Sequence, residues 1–163
     1  MTARTILLVF LVLCGFNAQA QPRLQIDNCE LIIGDWQGTY RAGASSFLSE
    51  DYSFRGAYDE SGVVMIDFTF FDSGERDRHE GYWYCQDGVL TTALVNQVGS
   101  PILFQYRILE IGPMTWRYQL LSVRPDAPVF EASRSSPSAM TPQLLDQYPR
   151  SFFDALLPPG IRY

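Results

Sequence analysis

One stretch, DSGERDRHEGYWYC, holds most of what could do chemistry in this chain. Glu75, Asp77 and His79 alternate there, so on an extended strand they would share one face, because successive strand side chains point to opposite sides. Two carboxylates and the single imidazole of the chain would suit a divalent metal or an acid–base pair. The competing reading is a solvated hairpin whose Arg76 and Arg78 compensate the acids while His79 is merely exposed, and charged turn residues make that the default. Other catalytic patterns are missing. Any nucleophilic triad must use His79, yet no G-x-S-x-G elbow surrounds a serine, and an H-E-x-x-H zinc site needs a second histidine. Every basic residue is Arg, which excludes Schiff-base lysines and lysine-containing phosphate loops. The expectation is a protein that is not an enzyme, with no catalytic residue, no metal and no cofactor.

The elements that must position these residues are strands. Between Asp35 and Arg134, runs rich in Tyr, Phe, Trp, Val and Thr alternate with Gly, Pro, Asp or Asn breaks. The runs are DWQGTYR, DYSFRGAY, VVMIDFTFF, HEGYWYCQ, VLTTALVN, ILFQYRILE, MTWRYQLLSV and PVFEASR, and DSGERDR reads as one of the breaks. Short links without crossover helices predict an all-β, eight-stranded antiparallel up-and-down meander. Trp36 and Tyr40 oppose Gln37 and Arg41, and Trp116 and Tyr118 oppose Thr115 and Arg117, so these strands are one-sided. Closing into a barrel buries that side and removes edges, and a two-sheet sandwich is the competing closure.

Outside the strands, MTARTILLVFLVLCGFNAQA has a basic start at Arg4, an apolar run from Ile6 to Phe16, and small residues Ala18 and Ala20 at a cleavage site. This predicts a signal peptide over 1–20 and a periplasmic or secreted mature protein. Residues 21–134 then form the barrel domain, and residues 135–163 a C-terminal loop and amphipathic helical extension. In that extension Thr141 and Ser151 are the candidate helix caps, and Leu144, Leu145, Phe152, Phe153, Leu156 and Leu157 supply an apolar stripe. Before the first strand, QIDNCELII reads as a short helical turn with Asp27 or Asn28 as cap. The formal net charge of −6 makes nucleic acid and anionic membrane poor partners, and no stable membrane insertion is expected. Cys29 and Cys85 survive signal cleavage, and an even pair in an oxidising compartment most simply forms one disulfide.

Gly34, Asp35 and Trp36 form a G-x-W at the start of the first strand, after a helical turn and ahead of a run of strands. In this the chain resembles a lipocalin-like protein of the calycin superfamily over about residues 30 to 134. Small bacterial barrels that inhibit secreted proteases are similar too. The resemblance implies a barrel closed at one end by the N-terminal segment and open at the other for a small apolar ligand. It also implies that Trp36 packs at the closed end against Arg134, the basic residue just beyond the last strand. If strand one starts at the closed end, alternating strand direction brings Cys85 to that same end, beside Cys29.

The inward candidates for ligand binding are Tyr40, Phe54, Phe68, Trp83, Tyr106, Trp116 and Tyr118, and a solid core is their competing use. Trp83 shares the phase of Cys85, which turns Tyr82 and Tyr84 outward. Arg107 and Glu110 are read as solvated on the outside. Two functions follow as expectations. The first is a binding protein that holds a small apolar or aromatic ligand in the barrel. The second is a protein-binding module, such as a protease inhibitor, with a solid core and a partner docked through the C-terminal segment.

Overall fold

The computed structural model describes residues 28–41, 50–121 and 127–161. A 3-10 turn over Asn28–Ile32 leads into strands β1 (Gly34–Tyr40), β2 (Tyr52–Tyr58), β3 (Val63–Phe70), β4 (Arg76–Gln86), β5 (Val89–Asn96), β6 (Pro101–Ile111), β7 (Thr115–Leu120) and β8 (Val129–Arg134). A second 3-10 turn, Leu145–Gln147, and a short helix α1 (Arg150–Asp154) follow. Each strand pairs antiparallel with the next and β8 returns to β1, so the sheet closes as an up-and-down barrel and the sandwich alternative falls. Among the described residues, no helix is long and apolar enough to cross a membrane. The expected signal peptide, the cap residue Asp27 and the rim segments 42–49 and 122–126 lie outside the described residues.

Alternation explains the closure. The residues of one phase, including Trp36, Tyr40, Tyr52, Phe54, Tyr58, Trp116 and Tyr118, form one interior cluster. Gly38 belongs to the same phase, and a Cβ there would come within 2.6 Å of the Phe54 ring, so the missing side chain is what lets that ring in.

The base of the barrel is pinned as the topology requires. The Arg134 guanidinium lies 4.1 Å from the Trp36 ring centroid and donates to the carbonyls of Ile33 (2.6 Å), Leu31 (3.2 Å) and Pro113 (3.2 Å). The Trp36 indole N–H donates to the Ile32 carbonyl at 2.8 Å, which holds the N-terminal turn across the opening. Gly34 has φ +126, and a side chain there would fall on the Arg134 guanidinium. Cys29 and Cys85 are bonded beside this plug, with Cα atoms 5.7 Å apart.

One strand starts well ahead of the run read from the sequence. The segment taken as a break over DSGERDR enters β4 at Arg76, because Arg76, Asp77 and Arg78 pair in register with Thr69, Phe68 and Asp67. Arg78 makes a two-pronged ion pair with Asp67, at 2.6 and 2.9 Å, which anchors that extension.

The C-terminal segment packs on the outer face of β4 and β5. Phe153 is fully buried in a cluster with Tyr84, Ala93 and Val95, and Leu144, Leu145, Tyr148, Phe152, Leu156 and Leu157 pack around them. The expected caps do not operate. Thr141 Oγ1 donates to the Ala139 carbonyl, α1 starts after Pro149, and neither helical piece has a side-chain cap of its own. The barrel supplies the cap instead. Glu80, with no exposed surface, accepts the backbone N–H groups of Gln143 (2.8 Å), Leu144 (2.7 Å) and Leu145 (3.3 Å).

Two outcomes are expected from this architecture. Glu80→Gln places an amide N–H₂ among donors that need an acceptor, and costs about 2–3 kcal/mol of stability, measured by urea unfolding, with earlier proteolytic cleavage after residue 135. Reducing the disulfide, whose cysteines are 56 residues apart, lowers stability by about 4 kcal/mol in the chain-entropy account.

Candidate functional site

All seven inward candidates lie in the interior cluster, and Trp83 faces in while Tyr82 and Tyr84 belong to the outer one. A chain of ring contacts runs through this cluster from base to rim. Trp36 meets Trp116 at 5.6 Å between centroids, Trp116 meets Tyr118 at 4.4 Å, Tyr118 meets Phe130 at 5.3 Å, and Phe130 meets Tyr40 at 5.4 Å. Trp83 belongs to the base, where its indole N–H donates to the Asp59 carbonyl in the β2–β3 turn.

Between the rings a cavity of about 30 Å³ remains, lined by Tyr52, Phe54, Tyr58, Ile66, Phe68, Tyr106, Tyr118 and Phe130. It brings together Phe54, Phe68, Tyr106 and Tyr118 of the expected residues, whereas Tyr40, Trp83 and Trp116 stand away from it. Tyr52, Tyr58 and Phe130 were not among those candidates, although Tyr52 and Tyr58 share the phase of Phe54 and Phe130 that of Ala132. A space of this size admits water and is far below the roughly 300 Å³ of a typical ligand pocket.

Accessible inner surface is concentrated on two strands. Phe68 and Phe70 of β3, and Ile102, Phe104 and Tyr106 of β6, face inward but remain only half-buried. β3 and β6 are separated by β4 and β5 on one side of the closed eight-stranded barrel and by the other four strands on the other. The phenols of Tyr52, Tyr58, Tyr106 and Tyr118 are all pushed upward in pKa, chiefly by burial, and those of Tyr52, Tyr106 and Tyr118 further by neighbouring tyrosines. Tyr106 keeps some accessible surface although its hydroxyl is desolvated, which fits a ring that borders internal space.

His79 departs from the sequence reading in both of its forms. It is neither exposed nor part of a three-ligand metal set. Its side chain points into the barrel, its ring centroid is 4.8 Å from that of Phe68, and its Nε2 lies 2.8 Å from Asp77 Oδ2. Its Nδ1 is buried with no hydrogen-bond partner, as are Thr92 Oγ1 and Trp116 Nε1 on the same inner wall. Glu75 stays in the turn, where its carbonyl accepts the Phe70 N–H, and no metal-holding cluster occurs among the described residues. The reason is strand parity: His79, paired with Ile66 and Asn96, lies on the face that Trp83 and Cys85 occupy. Arg107 and Glu110 are exposed outside, Glu110 3.7 Å from Arg117.

The outer surface offers two further features. A polar groove of about 540 Å³ runs over β2 to β4, with Arg55, Asp67, Arg76 and Arg78 in its wall. At the open rim, Phe71 and Val98 are exposed from the β3–β4 and β5–β6 connections and Val129 from the start of β8, Val98 by 82%. No protein-family model matches the chain, and no curated protein matches it in sequence.

The tyrosine cluster makes a pH prediction. Raised phenols in the fold mean that above about pH 10 the unfolded chain has fewer protons bound than the folded one. The stabilisation is complete below the ordinary tyrosine pKa and is lost as pH rises through the folded values. Absorbance titration at about 295 nm should show these four phenols ionising only as the barrel unfolds.

Proposed function

We propose that this is a secreted or periplasmic binding protein, not an enzyme, that takes a small apolar or aromatic molecule into the rim half of its barrel. One observation carries the reading: away from the base, where Trp83 sits, the inward aromatic surface that remains accessible lies on two strands, Phe68 and Phe70 on β3 and Phe104 and Tyr106 on β6. Apolar and π surface held half-covered on the inside of a barrel is surface that a ligand can finish burying, at roughly 25 cal/mol per Å². The cavity of about 30 Å³ sets the terms of entry, since a ring fits only if Phe68 or a neighbour rotates. The non-enzymatic part of the reading rests on the sequence, whose one imidazole is taken up by Asp77 and whose lysines are absent. Secretion rests on the N-terminal pattern and on a cysteine pair within bonding distance.

A second reading has its own support. The packed rings and the exposed Phe71, Val98 and Val129 suit a module that docks a protein at its rim. The C-terminal segment is the weaker docking element, because its apolar stripe is spent on Tyr84, Ala93 and Val95.

Two measurements separate the readings. Native mass spectrometry of protein purified from its own host is expected to show a co-purifying small molecule. Titration with indole is expected to move the amide resonances of residues 68–70 and 102–106 while leaving the base turn at 59–62 unchanged. An apo mass together with unmoved β3 and β6 resonances would sink the small-ligand reading and leave the rim.

A further inference from the structure

We propose that His79 is the polar anchor of this interior site, and that it selects a small aromatic molecule carrying a hydroxyl or N–H donor. The inference rests on the reading of the rim half as a ligand site and adds the chemical class of the occupant.

His79 is 8% exposed and stands on the inner face of β4, opposite Ile66 in the β3–β4 register. What surface its side chain retains, 11%, does not include Nδ1, which is sealed and unpartnered. The carboxylate of Asp77 fixes the tautomer. An ionised carboxylate only accepts, so the Nε2 facing it at 2.8 Å carries the proton. In the neutral ring Nδ1 is then a bare acceptor lone pair, buried on a side chain of the inner face. A buried acceptor with no donor is an unmet demand, and interiors rarely leave one without a use.

Phe68 is the cover. Its ring lies 4.8 Å from the imidazole, it is half-buried, and it lines the interior cavity together with Ile66. Rotation of Phe68 joins the cavity to Nδ1 and gives an entering ring an aromatic wall on one side and a hydrogen-bond acceptor at its edge. The two demands together define the occupant: a flat apolar body, and one donor at its periphery. A carboxylate is disfavoured there, since it would face an acceptor lone pair and lie close to the Asp77 charge.

The test compares phenol with toluene, which replaces the hydroxyl by a methyl group of similar size, and with benzoate, at about pH 8. Binding is followed by amide chemical shifts and by the ¹⁵N resonances of the His79 ring. Phenol is expected to bind about tenfold more tightly than toluene and to shift Nδ1. His79→Phe should bring phenol down to the toluene level while toluene binding persists, and His79→Gln, which keeps an acceptor, should recover part of the preference. Equal binding of phenol and toluene with Nδ1 unmoved overturns the anchor and leaves the ligand site standing. Benzoate binding more tightly than phenol overturns the donor class. Failure of all three probes to shift β3 and β6 removes the ligand site and the anchor together. The wild-type ring resonances decide the matter even if His79→Phe does not fold.

Discussion

The barrel depends on Arg134. Seven register pairs join β1 to β2, but only two, Trp36 with Arg134 and Gln37 with Ser133, join β1 to β8. The last seam of the cylinder is therefore the shortest, and it is closed at the base by the side chain that β8 delivers there. The guanidinium caps the Trp36 ring and collects carbonyls from the N-terminal turn and from the β6–β7 connection, so one planar group ties the first strand, the last strand, the plug and a turn. A lysine has one point charge and no face to stack, and it could not serve all four. The disulfide adds a covalent tie between the same turn and β4.

With the base fixed, the rest of the interior is a problem of filling a cylinder with rings. Large flat side chains leave gaps between their edges, and the small cavity among four tyrosines is such a gap. The imperfections are polar as well as geometric: His79, Thr92 and Trp116 each bring a buried group to the inner wall without a partner. On the outer wall the same strand is fully satisfied. Glu80, next to His79 in sequence, meets three backbone N–H groups of the C-terminal segment and has Arg78 beside it at 3.8 Å. Adjacent residues of one strand thus do opposite work, one completing the structure and one leaving it open.

Much of the fold was legible because it rests on a period of two. Alternation in DWQGTYR and MTWRYQLL sorted the rings to one side, turn residues marked the ends, and strand reversal brought Cys85 to Cys29 and Arg134 to Trp36. The phase of Cys85 also assigned Trp83 inward and Tyr82 and Tyr84 outward. Where charged residues crowd a strand end the signal failed. DSGERDR has the composition of a turn, and its strand character comes from Asp67, a residue on a neighbouring strand that holds Arg78. The helix cap at Thr141 failed for a related reason: the donors it would have satisfied are met by a carboxylate more than 60 residues earlier, which local sequence rules do not see, whereas Ser151 lies inside α1 and not before its start.

The sequence by itself determined the eight strands, their antiparallel order and the composition of the core, because side-chain direction along a strand is a local property that the order of residues dictates. Tertiary structure alone decided how fully the rings fill the cylinder, that His79 lies inside with one nitrogen unmet, and that Glu80 caps a segment distant in the chain. Those outcomes depend on distances between groups brought together by closure, and distance across a barrel is not written in the spacing of residues along it.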